Sequence, residues 1–293
     1  MTTLTAYVAN CLIGGDEVTH NLDGSWVRDV VRFKCDRWEF RFLQRPDVAK
    51  GQTEHLKGTL CETTTVLVEG IEPDDLKNVL QTLDAICWLL SFASQSRVLC
   101  YGYELPNGEP TAHFNSVIGM ANYFRPPFYL QDTAAIKRFV QQSFTEYKRL
   151  NKKRKLAAVF DYLVQAEYPI QSMEVQLLLM FVALESLKDT FARATGIPYM
   201  KGFYRKPTGK PGKLGAPFTF EELLSRMLQS VRMRRGLKQI IALRNEIIHS
   251  GLSRKSLAQQ WRLYEGVQDL VREYLFRLVG YHGGCEKGSR LVI

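Results

Sequence analysis

The sequence predicts an α+β chain, with a small mixed α/β module over residues 1–130 and an all-α helical bundle over residues 131–293. A length of 293 residues suffices for one large domain or two ordinary ones. The first hundred residues contain short stretches in which apolar and polar side chains alternate, which is typical of strands. From about Asp132 onward the apolar residues recur at helical spacing, so the second half is expected to be helical.

In the first half, the stretch VVRFKCDRWEFRF predicts a half-buried strand or hairpin. Its apolar side chains fall on every second position, with one break: Val31, Phe33, Cys35, Trp38, Phe40 and Phe42. TTTVLVEG and RVLCYGYEL predict further strands, and Pro73 opens a helix between them. This half contains no recognisable catalytic constellation, and we interpret it as a recognition or partner module.

Six helices are predicted in the second half. The first runs from about Asp132 into KRLNKKRK, and the next two cover about Leu156–Glu167 and Ser172–Ala194. The fourth starts near TFEELLSRML, the fifth contains LRNEIIHSG, and the sixth closes the chain. Glu221 and Glu222 are expected to lie in the first turn of the fourth helix and not to bind metal. Short connections predict a bundle of antiparallel neighbours.

Residues 196–217 interrupt this helical pattern. The segment holds five glycines, four prolines and five basic residues, with no acidic residue, and is predicted to be a mobile loop. Its basic residues are candidates for RNA binding: Lys201, Arg205, Lys206, Lys210 and Lys213. With Tyr199, Phe203 and Tyr204 they have the chemistry to contact phosphates and stack on unpaired bases. The alternative is a surface insertion without function.

The charge is divided unevenly along the chain. The total is +9, but residues 1–144 hold 13 Lys+Arg against 17 Asp+Glu (−4), and residues 145–293 hold 26 against 13 (+13). A domain this basic typically binds a polyanion, with nucleic acid the first candidate, although a merely cationic surface is the alternative.

Composition also indicates a compartment. The six cysteines are scattered without metal-ligand spacing, which favours reduced thiols in a cytosol and no metal or other cofactor. No run has the length of a signal peptide or a membrane span, so a cytoplasmic protein without membrane contact is expected.

The stretch LRNEIIHSG, residues 243–251, contains the candidate catalytic residues. Arg244 offers a permanently charged fork suited to phosphate, and a histidine such as His249 can exchange protons at cellular pH. Asn245 lies four residues before His249, so the two share a helix face and can hydrogen-bond, and Gly251 is expected to end the helix. Arginine plus histidine, without metal ligands, suits RNA cleavage in which the ribose 2′-hydroxyl attacks its own phosphate.

These residues resemble the R-x4-6-H signature of the HEPN superfamily, and FVALESLKDTF resembles the ALE-x-L helix of Apea-like and related HEPN domains. The resemblance covers about residues 130–281. It implies a helical domain that dimerises so that two motifs meet. Many such proteins are metal-independent endoribonucleases of toxin–antitoxin, abortive-infection or CRISPR-associated antiviral defence.

The same resemblance assigns roles to residues. Arg244 stabilises the phosphate, His249 acts as general acid or base, and Asn245 orients it. Glu185 and Ser250 support the site, with Glu185 ordering the arginine or histidine. HEPN toxins paired with nucleotidyltransferase antitoxins carry a tyrosine two residues after the histidine, but this chain has Gly251 there, which argues against that route of regulation.

Other interpretations stay open. Arg244 is alternatively a salt-bridge partner of Glu185, and His249 a cap favoured by the helix dipole. The chain is then a non-catalytic HEPN-type module that binds RNA or a protein, or a helical scaffold with a chance motif. The expected partners are RNA, a second copy of the chain, and a protein antitoxin or trigger bound by the first module. The other histidines are expected to be structural or exposed: His20, His55, His113 and His282.

Overall fold

The computed structural model describes residues 2–20, 24–49, 54–56, 58–106, 108, 111–112, 126–168, 171–208, 214–234 and 236–283. The chain is mixed α/β, as predicted. It divides into two compact units: the first holds the described residues up to Lys148, with 167–168 and 283, and the second holds the others from Arg149 on. The division therefore falls inside a helix, 18 residues beyond the predicted boundary at 130/131.

The first unit is built on a seven-stranded sheet of order β2-β3-β4-β5-β1-β6-β7, in which every neighbouring pair is antiparallel. The strands are β1 (Thr2–Ala9), β2 (Glu17–His20), β3 (Trp26–Cys35), β4 (Trp38–Gln44), β5 (Glu62–Ile71), β6 (Leu99–Glu104) and β7 (Thr111–Ala112). β1 lies between β5 and β6, with Tyr7 opposite both Thr65 and Gly102.

The alternating stretch forms the hairpin that its pattern predicts. β3 and β4 pair from Val30↔Leu43 to Cys35↔Trp38, and Asp36 turns the chain with a positive φ of 52°. The apolar positions of both strands are buried on one side of the sheet, where Phe33 and Phe42 meet edge to face at 5.1 Å between ring centroids. The period-2 pattern thus reports a sheet with one covered face.

Helices account for the covered face of this sheet. A four-residue helix α1 (Pro46–Ala49) follows β4, and α2 (Leu76–Ser94) follows a 3₁₀ turn that begins at Pro73. The first turns of α3 (Thr133–Arg154) belong to the same unit, since Phe139 packs on both Phe92 and Phe128. This packing is the reason why the first unit extends beyond residue 130.

The second unit contains α4 (Leu156–Ala166), α5 (Met173–Ala194), α6 (Phe220–Ser230), α7 (Lys238–Ser250) and α8 (Leu257–Leu278), all close to their predicted bounds. α5 is its central element and contacts α4, α6, α7 and α8. Side-chain caps start three of these helices, at Ser172, Thr219 and Ser256. Buried Arg154 joins the end of α3 to this unit by donating to the Leu187 carbonyl and the Tyr274 hydroxyl, at 3.0 and 2.8 Å.

The predicted mobile loop at 196–217 is wrong for its described residues, which form three antiparallel strands: β8 (Tyr199–Met200), β9 (Phe203–Pro207) and β10 (Leu214–Pro217). Lys201 and Gly202 both have positive φ, 53° and 82°, which is the geometry of a two-residue hairpin turn whose twist matches the strands. Lys210 and Lys213 lie outside the described residues. Gly202 therefore serves the turn, and Pro207 and Pro217 are the last residues of β9 and β10.

Two further observations concern the whole described chain. Its cysteines are free thiols: Cys11, Cys35, Cys61, Cys87 and Cys100. None of the helices in the described ranges combines the length and the apolar character that crossing a bilayer requires.

Candidate functional site

Helix α7 presents the LRNEIIHSG motif. It ends at Gly251, whose φ of 70° and N–H bond to the Ile247 carbonyl (2.9 Å) form the left-handed cap predicted for this glycine. Ile240, Leu243 and Ile247 are buried, as their spacing predicts. Because these three fix the inward side of α7, they also fix which motif residues face α5 and which face solvent.

Arg244 lies beside that inward side and is held by several groups at once. Its Nη2 donates to Glu185 Oε1 on α5 at 2.5 Å, and its Nη1 donates to Asn245 Oδ1 at 3.0 Å. The guanidinium carbon stands 4.7 Å from the ring centroid of Phe220, the first residue of α6. Its side chain is 19% exposed, so the charge is fixed in place yet still reachable from solvent.

Lys188 is a second cation at the same place. Its Nζ lies 2.5 Å from the other carboxylate oxygen of Glu185 and 4.6 Å from the centroid of the Phe220 ring. We call Glu185, Lys188, Phe220 and Arg244 the Arg244 cluster. Two cations share one carboxylate, so the cluster keeps one net positive charge and is suited to hold an anion such as phosphate.

The sequence indicated that Glu185 contacts Arg244 or His249, and in the structure it bonds Arg244, but Lys188 and Phe220 were missed. The i,i+3 spacing of Glu185 and Lys188 was a usable signal, since residues three apart on a helix are neighbours. Phe220 had no such signal, because its contact depends on how α6 packs against α5.

His249 is separate from the cluster. Five residues along an α-helix correspond to a rotation of about 140° beyond one full turn, so Arg244 and His249 leave α7 in different directions. His249 is exposed, and none of the hydrogen bonds among the described residues involves it. Within a single chain, Arg244 and Glu185 are therefore in contact, whereas His249 lies on the surface.

Two expected supporting contacts differ in the structure. The Asn245 oxygen accepts from Arg244, and the hydrogen bond to His249 that the four-residue spacing allows is not formed in this conformation. The guanidinium is the stronger donor and lies on the adjacent residue. Ser250 Oγ lies 2.6 Å from the Glu246 carbonyl and 2.8 Å from the Leu252 carbonyl, which commits this hydroxyl to the helix end.

The β8–β9 hairpin is fixed to α5 and α6 by side chains of β9. The Tyr204 hydroxyl donates to the Asp189 carboxylate, and its ring meets Tyr199 edge to face at 4.9 Å. Burial, and next this bond to Asp189, raises the pKa of Tyr204 to about 12. Lys206 bonds Glu222, which also caps the start of α6 through Thr219, and both contacts hold the pKa of the Glu222 carboxyl below its usual value.

The predicted RNA-binding residues thus have different surroundings. Lys201 is exposed at the hairpin turn, and neither it nor Arg205 has a carboxylate partner among the described residues. Lys206 is paired with Glu222. Glu222 lies in the first turn of α6, as predicted. The described ranges contain no grouping of three or more His, Cys, Asp or Glu side chains that could hold a metal ion.

Of the remaining histidines, His20, His55 and His282 are exposed, and His113 lies outside the described residues. In comparisons with protein-family models, with curated proteins and with solved structures, nothing matches this chain. The chemistry of the site is therefore interpreted from its own residues.

Proposed function

We propose that the chain is a metal-independent endoribonuclease of the HEPN type, which cleaves RNA by attack of a ribose 2′-hydroxyl on the adjacent phosphate. The observation that carries this proposal is the Arg244 cluster: a guanidinium fixed by Glu185, with one positive charge in excess, on the helix that ends in an exposed histidine. Arg244, Asn245, His249, Glu185 and Ser250 are the residues assigned to the site.

In this reaction the 2′-oxygen forms a bond to phosphorus while the bond from phosphorus to the 5′-oxygen breaks. The 2′-hydroxyl loses a proton to a base, and the leaving 5′-oxygen gains one from an acid. The products are a 2′,3′-cyclic phosphate and a 5′-hydroxyl. Arg244 stabilises the charge that develops on the non-bridging phosphate oxygens, since it is already oriented and only one-fifth exposed.

His249 supplies proton transfer. One imidazole cannot serve as base and acid within a single step, so the proposal includes a homodimer in which two copies of α7 contribute to one site. Exposed apolar side chains at Ile248, Leu252 and Leu257 bracket the histidine along the chain, and a partner surface would cover them.

The charge distribution supports RNA as substrate. Residues 145–293 carry an excess of +13, against −4 for residues 1–144, so attraction to phosphates is confined to the half that holds the motif. The first unit then takes the role of binding a trigger, an antitoxin or another protein, as expected of a cytoplasmic toxin or antiviral defence protein.

A specific observation favours a second candidate, a non-catalytic HEPN-type module that binds RNA or a protein. Arg244 is already ion-paired with Glu185, and Asn245 contacts that arginine and not His249. A binding module needs the cationic surface but not the histidine.

The deciding experiment incubates the full chain with total RNA in EDTA and maps the new ends. The proposal expects 2′,3′-cyclic phosphate and 5′-hydroxyl ends that disappear with His249→Ala and persist with His282→Ala, a matched exposed histidine. Binding without new ends would support the second candidate instead. Cleavage only after Mg²⁺ addition would overturn the metal-independent mechanism.

A further inference from the structure

The β8–β9 hairpin has one anchored side and one open side. Residues directly opposite each other in an antiparallel pair point to the same side of the sheet. Tyr199 is opposite Tyr204, and Met200 is opposite Phe203. Tyr204 points toward α5, where it bonds Asp189, so Met200 and Phe203 point the other way.

Alternation along β9 extends this division. Lys206 is two residues after Tyr204 and shares the anchored side, where it bonds Glu222 of α6. Arg205 is two residues after Phe203 and shares the open side, with its guanidinium carbon 6.0 Å from the Phe203 ring centroid. Because two side chains tie the hairpin to two helices, the open side is a fixed platform that loses little conformational freedom when it binds a ligand.

The platform exposes more apolar surface than the fold requires. On this side Phe203 is 55% exposed and Met200 43%, whereas Tyr199, although 60% exposed, shares the anchored side with Tyr204. Single exposed apolar residues need no explanation, but two that are paired across the hairpin form a patch of the kind that marks an interaction site.

The cations around this patch indicate what it binds. Lys201 at the turn and Arg205 beside Phe203 have no carboxylate partner among the described residues, so their charges are available. An exposed ring beside available cations matches an unpaired nucleotide, whose base stacks on the ring while its phosphate meets a cation. A duplex keeps its bases stacked inside and offers no base face to the ring.

The platform is also tied to the Arg244 cluster. Asp189, which anchors Tyr204, is one helical turn from Glu185, which anchors Arg244. Glu222, which anchors Lys206, is two residues from Phe220, under Arg244. The same turns of α5 and α6 therefore position both the platform and the arginine.

We infer that the open side of the β8–β9 hairpin is a base-stacking subsite for unpaired nucleotides, with Phe203 as the stacking ring and Lys201 and Arg205 as phosphate contacts. This subsite selects single-stranded segments and places them next to Arg244. The inference rests on the proposed function for RNA as the natural ligand, while the stacking itself requires no cleavage.

The test uses the full chain and fluorescence anisotropy with a single-stranded oligothymidylate of about 12 nucleotides, within the range of sites on such surfaces. This probe lacks 2′-hydroxyls and cannot be cleaved by the proposed reaction. An abasic strand of equal length presents the same phosphates without bases. The variants are Phe203→Ala, the conservative Phe203→Tyr, and Trp26→Ala, a matched aromatic that is 62% exposed on β3.

Phe203→Ala should weaken oligothymidylate binding by about 5-fold to 100-fold and leave binding of the abasic strand unchanged. Phe203→Tyr and Trp26→Ala should bind as wild type does. Unchanged oligothymidylate affinity in Phe203→Ala overturns the subsite, and so does an equal loss for both strands. Failure of the wild-type chain to bind either strand overturns it as well, and leaves the patch as a protein contact.

The two proposals fail separately. If Phe203→Ala loses base-dependent binding but wild type cleaves no RNA, the subsite stands and the nuclease does not. If wild type cleaves RNA but Phe203→Ala binds normally, the nuclease stands and the subsite does not.

Discussion

Glu185 and Asp189 lie one turn apart on α5 and hold the two halves of one surface. Glu185 accepts from the guanidinium of Arg244 on α7, and Asp189 accepts from the hydroxyl of Tyr204 on β9. Both carboxylates are thus committed to positioning other side chains. The side chains on this surface that can still bind a ligand are therefore mostly cationic or aromatic.

His249→Ala should reduce cleavage by about 10²–10⁴-fold, the usual contribution of a positioned general acid or base. The melting temperature should stay that of wild type, because His249 is exposed and none of the described residues hydrogen-bonds to it. Cleavage rate and thermal melting are measured on the same preparation. Full activity in this variant would remove His249 from the mechanism.

Arg244→Ala should abolish cleavage and also lower the free energy of unfolding by about 1–2 kcal/mol, since it removes a half-buried charged hydrogen bond. Glu185 keeps Lys188 as a partner, so the bundle should still fold. Arg244→Lys retains the charge without the planar fork and should recover stability better than activity. Urea unfolding and cleavage assays separate the two effects. Strong destabilisation with an unchanged cleavage rate would make Arg244 purely structural.

RNA affinity should fall steeply as salt rises, because each phosphate contact releases counterions. Lys201→Ala/Arg205→Ala should reduce the slope of log affinity against log salt by about 1.4, at about 0.7 per contact on a single strand. Lys77→Ala/Arg28→Ala, two exposed cations of the first unit, is the control and should leave the slope unchanged. A slope equal to that of wild type in the first pair would show that the hairpin does not contact phosphate.

Tyr204→Phe should destabilise the chain by about 1 kcal/mol at neutral pH, because the Asp189 carboxylate loses a donor. Burial raises the pKa of Tyr204 from 10.0 to about 12, so the folded state favours the neutral phenol. The resulting stability is complete below about pH 10 and is lost as pH rises through about 12. The gap in unfolding free energy between wild type and this variant should therefore shrink over that window, as chemical denaturation at a series of pH values will show. Tyr199→Phe is the control and should match wild type throughout; a pH-independent gap for Tyr204→Phe would contradict the assignment.

Much of the secondary structure followed from local signals. Ser172, Thr219 and Ser256 cap helices where the sequence has a cap residue before an apolar helical pattern, and Gly251 ends α7 as glycine is expected to. The β3–β4 hairpin followed from alternation alone.

The parts that sequence did not reveal depend on pairing and packing. β8–β10 were hidden by glycine and proline content, and Lys201 is not among the residues that favour the positive φ it adopts at the turn. Asn245 accepts a hydrogen bond from the charged guanidinium of adjacent Arg244 and forms none with His249. The contact of Phe220 with Arg244 depends on a helix approach that no spacing along the chain encodes.

The position of β1 in the sheet has a consequence for biosynthesis. β1 leaves the ribosome before both strands that flank it, since Tyr7 pairs with Thr65 and with Gly102. The β3–β4 hairpin can close at once, but β1 waits with both edges unsatisfied until β5 and β6 are made. A strand with two open edges is a template for pairing with other chains. Nascent chains of this protein should therefore depend on chaperones, and slower translation between β1 and β6 should lower the soluble yield.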